Sequence, residues 1–299
     1  MKMKHVFAGA CALALLAGCS DASAKLQNSS ETVMTVGNTS FSKGDLYQMM
    51  MNSIGGDEVY GDVMEYISDQ EVELTDEMKE EATNMLDFYT MMYGTQFSDY
   101  LASSGMTEDE YVEKVIIPSL KSEKLTGVYV DANFDSLCAS FSPIQAIILS
   151  FTSEEDASAA LSELKDGSAS AAEAASAHNS TSTGTEEIIT SDSLTYDSAV
   201  LSVIRSGSVD DGWVEVPSSD GSSFYLVKIV SKTPSEFKDD AVTTLSGIST
   251  VTDAATDYFL RKYSFHVYDI SVYNSLKENH PAILVQDSKP FTLTAPAAE

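Results

Sequence analysis

The chain has 299 residues, with 17 Lys and Arg against 46 Asp and Glu, a formal net charge of −29. That balance excludes nucleic acid as a partner, because phosphate neutralisation needs surplus cations. With 43% hydrophobic residues the composition is that of a globular protein long enough for two domains. Cys11, Cys19 and Cys138 cannot form a disulfide framework, and Cys138 could pair only with another molecule.

Lys2 and Lys4 precede an apolar run from Val6 to Leu16, which ends in Leu16-Ala17-Gly18-Cys19. A basic start and a short apolar stretch make an export signal too short for a stable membrane span. The four closing residues resemble the bacterial lipobox, which makes Cys19 the lipidated N-terminus; cutting after Ala22-Ser23-Ala24 is the alternative. Removing two lysines leaves 15 − 46 = −31, so membrane adhesion must come from the acyl chains. Residues 20–30 read as a polar tether.

Val33 to Phe41 alternates around Gly37-Asn38 and predicts an extended entry to the folded chain. Leu46, Met49 and Met50 mark one helix; Val59, Val63, Tyr66 and Ile67 mark a second. Thr75 caps a third, with Met78, Ala82, Met85, Tyr89 and Met92 on one face and Gly94 as its stop. Thr107 to Glu110 is a capping box, and Pro118 should kink or restart the helix that follows. Beyond Ser142-Pro143 the pattern changes. Ile144 to Leu149 predicts a buried strand, followed by helices over 153–165, to about 177 and over 196–204. Gly212 to Val216 and Ser223 to Val230 form a hairpin around Asp220-Gly221, giving the order β-α-α-α-β-β. Asp240 to Tyr263 returns to helix, His266 to Val272 looks extended, and 286–299 reads as a flexible tail.

This order of pieces resembles the PrsA-type foldase lipoproteins, which join a SurA-type chaperone lobe to an inserted parvulin-type peptidyl-prolyl isomerase domain. The runs that carry the resemblance are Val33 to Tyr47, Gly105 to Tyr111, Leu161 to Gly167, Gly207-Ser208-Val209 and Phe224 to Ile229. The resemblance implies an α+β fold. Residues 1–19 are the signal peptide, 31–138 plus 235–285 a mainly helical chaperone lobe, and 142–233 the parvulin-like domain. It also implies unfolded or exported polypeptides as clients, an extracytoplasmic, lipid-anchored location and no cofactor, and it leaves a homodimer open.

The departures from that family fall on its polar site. Ala146 and Tyr225 stand where parvulins usually carry two histidines, and Thr181 lies near the usual Cys or Asp. Alanine offers no polar hydrogen, and a phenol does not titrate like imidazole. Leu194, Tyr196 and Leu201 match the family's proline pocket. His178 reads as a loop histidine at the end of an Ala-rich helix, and no metal-binding spacing is present.

Ten of the 12 Met lie between Met34 and Met106. Flexible thioethers suit a surface that accepts varied apolar partners, with Met49, Met50, Met51, Met91 and Met92 as candidates; packing a helical core is the alternative. Asp57 to Glu81 holds 11 acids and one Lys, a solvated face or an attractor of basic clients. Three functions follow: a foldase or holdase with a degenerate isomerase domain, an active isomerase with a divergent site, or an envelope lipoprotein with another binding role.

Overall fold

A computed structural model describes residues 22–292, with the side chains of 52–55 left aside. Residues 1–21, which hold the export signal and Cys19, lie outside the described part. In chain order the elements are β1 (Thr32–Val36), β2 (Thr39–Ser42), α1 (Lys43–Glu71), α2 (Asp76–Tyr93), α3 (Thr95–Ser104), α4 (Glu108–Tyr111) and α5 (Ile117–Ala132). Then come α6 (Phe134–Phe141), β3 (Ile144–Phe151), α7 (Glu154–Asp166), α8 (Ala171–Ala177), β4 (Glu186–Ile189) and α9 (Ser198–Ser206). The chain closes with β5 (Trp213–Pro217), β6 (Phe224–Ser231), α10 (Lys238–Ser246), α11 (Ser249–Lys262) and α12 (Ile270–Asn279). The fold is α+β and mainly helical. Contacts divide the described residues into two compact units, 22–128 with 253–292, and 129–252.

In the first unit, capping chemistry sets the helix starts. Ser42 and Asp45 form a reciprocal capping box, as do Thr107 and Glu110, while the Thr75 hydroxyl accepts from the Met78 amide. Where two helices were expected around Gly55-Gly56, α1 runs unbroken, because tertiary contact overrides the local glycine preference. Gly56 lets α12 come close: a Cβ there would stand 2.7 Å from Leu276 Cδ2 and 3.2 Å from the Leu276 backbone. The Gly56 amide donates to Ser275 Oγ at 2.8 Å, and His280 Nε2 lies 2.5 Å from Asp57 Oδ1. At the other end of α1, Glu71 accepts from Tyr263 Oη at 2.6 Å and pairs with Lys262 at 2.5 Å. This hydrogen bond and burial push the Tyr263 phenol up to about 12.

Pro118 lacks an N–H, and the turn before it, Val112–Ile116, is a π-helix in which the Ile117 amide reaches Val112. Residues 22–30, read as a tether, are attached. Ala24 bridges Asp269 in parallel, and the Gly44 amide donates to the Ser29 carbonyl at 2.7 Å. The stretch expected to be extended at 266–272 is instead capped by Asp269, whose carboxylate accepts from the Ser271 and Val272 amides and starts α12. Phe291, in the expected tail, donates its amide to Asp257 at 3.0 Å.

In the second unit a four-stranded antiparallel sheet runs in the order β4-β3-β6-β5. α7 and α8 cover one face through Leu149, Phe151, Ala157, Ala160, Leu164, Ala174 and Leu226. α9 covers the other through Val200, Leu201 and Ile204, packed on Ala146, Ile148, Val227 and Ile229. The expected β-α-α-α-β-β order thus gains β4. Glu186-Glu187-Ile188-Ile189 carries no apolar alternation, and it becomes a strand because the edge of β3 needs a hydrogen-bonding partner. The single helix expected over 240–263 is two helices, broken at Gly247. Val130, Leu137, Phe141, Leu245 and Val251 form a third core within this unit.

Candidate functional site

Two surfaces, one in each unit, carry the chemistry. On the α9 face of the sheet, strand alternation points Ala146, Ile148 and Ser150 of β3 the same way as Tyr225, Val227 and Ile229 of β6. Ala146 is fully buried between Glu187 of β4 and Ile229. Tyr225 sits opposite Ser150, four residue pairs along the ladder, so on this face the Ile148–Val227 pair separates it from Ala146. The two positions share a face without being neighbours. Thr181 reaches the same end as Tyr225, donating its amide at 2.8 Å and its hydroxyl at 3.2 Å to the Ser150 carbonyl. Ser180 and Ser182 accept from the Ser150 amide at 3.3 and 3.1 Å, and Ser182 donates to the Ile148 carbonyl at 2.8 Å. This Ser/Thr loop continues the β3 edge beyond the start of β4, and its hydroxyls are engaged by backbone groups.

Of the expected proline pocket, Tyr196 is half-buried and Leu201 buried against the sheet, while Leu194 is 87% exposed. A turn in which Ser193 Oγ accepts from the Thr190 amide precedes Leu194. Leu194 therefore does not line this face. The polar centre is a residue the sequence reading missed, Glu187. Tyr196 Oη donates to it at 2.6 Å, and the Tyr196 and Tyr225 rings meet edge to face at 6.4 Å. Burial pushes the Glu187 carboxyl above the usual range, the tyrosine bond opposing it in part. Burial and the carboxylate together raise the Tyr196 phenol well above an ordinary one. The only advance signal was a pair of acids directly before two isoleucines, with a tyrosine nine residues after the second. His178 lies elsewhere: it caps α8 and places Nε2 3.0 Å from Glu163 of α7 on the opposite side of the sheet. It is partly buried rather than a free loop side chain.

A carboxyl with a raised pKa gives stability below its unfolded value that is lost as pH climbs through the folded one. Glu187→Gln keeps an oxygen to accept from Tyr196 and removes the charge. Thermal unfolding should therefore show the variant equal to the parent near about pH 3.5, below the ordinary Glu pKa, and more stable at about pH 7. Equal melting temperatures at both pH values would show that Glu187 ionises without cost.

In the first unit the surface is on α2. Glu77, Glu80, Glu81, Asn84, Met85, Phe88 and Tyr89 line an open groove of about 480 Å³ along one side of the helix. Just beyond, Met91 is 78% exposed, and Phe88, Met92 and Tyr93 are also exposed. Tyr89 is braced by Phe97 and Tyr111, whose rings lie 5.2 Å apart, so the exposed residues sit on an ordered aromatic base. Met49 and Met50 of α1 are exposed and Met51 partly buried. Hence Met91 and Met92 join a groove-forming face, whereas Met49 to Met51 stand on another helix, α1.

No protein-family model matches the sequence. Among curated proteins, 257 residues are 27% identical to Foldase protein PrsA of Streptococcus sanguinis, covering 79% of this chain and 74% of that one. A second match, Foldase protein PrsA of Streptococcus gordonii, is 28% identical over 231 residues, covering 68% and 74%. The chain is thus similar in sequence to PrsA-type foldases over most of its length. Among solved structures, PrsA from Streptococcus pneumoniae aligns with a TM-score of 0.42 at 18% identity, over 83% of this chain and 99% of that chain. A Bacillus cereus peptidylprolyl isomerase (PrsA) aligns at 0.40 and 20% identity, over 84% and 98%. Among the described residues, no group of three or more His, Cys, Asp or Glu is placed to hold a metal ion. Nor is any described helix long and apolar enough to cross a membrane.

Proposed function

We propose that this chain is an exported foldase that holds unfolded polypeptides on its helical lobe and is anchored outside the membrane through a lipid on Cys19. In this reading residues 31–138 and 235–285 form the chaperone lobe, and 142–233 form a parvulin-like domain whose isomerase site is degenerate. The carrying observation is the exposed face of α2 formed by Phe88, Met91 and Met92. Leaving such side chains in water forgoes roughly 1.5–3 kcal/mol each, a cost that an apolar client removes by covering them. Thioethers can reshape around clients of different sequence.

The experiment is suppression of aggregation of a chemically unfolded client. The triple variant Phe88→Ser, Met91→Ser, Met92→Ser should need at least about tenfold more protein for the same protection, since losing 1.4 kcal/mol of contact already costs that factor. Circular dichroism should be unchanged, because all three side chains are exposed. Undiminished protection by this variant, or loss only on deleting 142–233, would move the client site off α2. A second reading, an active isomerase with a divergent site, is favoured by one observation: the Glu187–Tyr196 pair keeps a polar group on the face where the family has its own.

A further inference from the structure

We infer that the α2 face selects client segments in which a Lys or Arg lies three to five residues from an apolar or aromatic cluster; this rests on the client-holding reading above. Glu77, Glu81, Asn84, Phe88, Met91 and Met92 fall within one stripe of α2, at helical spacings of three, four and seven. The stripe is divided. Its N-terminal half presents Glu77, Glu80 and Glu81, and its C-terminal half presents Phe88, Met91 and Met92.

Seven residues from Glu81 to Phe88 and eleven from Glu77 to Phe88 span about 10 and 16 Å at 1.5 Å per helical residue. An extended client covers those spans with about three to five residues at roughly 3.3 Å each. Charge decides the occupant. Lys79, the one cation between Asp57 and Glu81, is already engaged by Asp76 at 2.7 Å. A second copy of this chain packed stripe to stripe would bring no free cation, since its Lys79 is likewise held by Asp76. It would set the three carboxylates against its own carboxylates or against Met and Phe, and the net charge of −29 opposes the approach. An acidic segment is repelled, and a purely apolar one leaves the carboxylates facing it without partners. A basic and apolar segment satisfies both halves.

The test uses the purified full chain and three labelled 15-residue peptides with one Leu/Phe cluster, flanked at four residues by Lys, Ser or Glu. Fluorescence anisotropy at low salt should rank them Lys over Ser over Glu. The Lys peptide should bind at least about tenfold tighter than the Ser peptide, and most of that gap should close at about 0.5 M salt. Glu77→Gln, Glu80→Gln, Glu81→Gln should abolish the preference, so that the Lys and Ser peptides bind with equal affinity. Phe88→Ser with Met92→Ser should weaken all three. A Lys preference that survives the triple glutamine variant overturns the inference even where aggregation suppression is intact. Light scattering showing dimers that Phe88→Ser with Met92→Ser dissolves assigns the face to self-association instead. Failure of the parent protein to suppress aggregation at all, by contrast, sinks the client-holding reading itself.

Discussion

On a proline-containing tetrapeptide the purified protein should turn over at least about 100-fold more slowly than a parvulin carrying both imidazoles, since removing positioned polar groups typically costs 10²–10⁴. Ala146 contributes no polar atom and is fully buried. The Thr181 hydroxyl is spent on the Ser150 carbonyl, and Tyr196 is spent on Glu187. The Thr181 and Tyr196 hydroxyls are thus already engaged, and no imidazole stands at either position. Restoring both rings through Ala146→His and Tyr225→His should not recover the rate. The Ile148–Val227 pair stands between the two positions, and four residues of strand separate them by about 13 Å. An imidazole at 146 must also displace Leu201 or Ile229 from a filled core, with a typical overpacking cost of about 1–3 kcal/mol. Parent turnover within tenfold of an intact parvulin would refute the degenerate-site reading and favour Glu187 and Tyr196 as a working alternative. Recovery in the double-histidine variant would show that the two positions cooperate despite their separation.

The second large effect should come from Gly56→Val. The new Cβ would meet Leu276 Cδ2 at 2.7 Å and the Leu276 Cα at 3.2 Å, and the backbone contact cannot swing away as a flexible side-chain end can. α12 must then lift from α1, straining the Gly56–Ser275 hydrogen bond at 2.8 Å and the Asp57–His280 contact at 2.5 Å. A destabilisation of about 1–3 kcal/mol is expected, read as a lower denaturant midpoint for the first unit. Gly61→Val on the same helix is the control, because a Cβ there meets nothing within 4 Å. Its cost should be limited to the helix-propensity change, under about 1 kcal/mol in favour of the non-glycine residue. Equal effects at 56 and 61 would mean that α12 does not depend on this close approach.

Much of the local structure was legible in the sequence. Thr75, Thr107 and Ser153 each stand at a helix start and accept from an amide three residues on, as their residue types require. Gly94 and Gly167 end helices with positive φ, where other residues are strained. The apolar runs Ile144 to Leu149 and Phe224 to Ile229 announced strands whose two faces are both buried. The Met-rich, acid-rich character of α2 was readable too, because it depends on composition and helical spacing alone.

What needed the tertiary structure was everything decided by a distant partner. The helices marked by Leu46 to Met50 and by Val59 to Ile67 are one continuous α1, and between those two marks Gly56 packs on Ser275 and Leu276, more than 200 residues away. Glu186 to Ile189 carries no strand pattern and becomes β4 only because the backbone groups of Ile144 to Ile147 must be satisfied. Glu187 looked like one acid among 46. It became the polar centre of the α9 face once β4 placed it beside Ala146 and Tyr196 folded back over it. Residue type and spacing set capping, alternation and charge, because these act within a turn or a strand. Register and burial of a charge are settled by which strand or helix arrives alongside, and no local pattern encodes that.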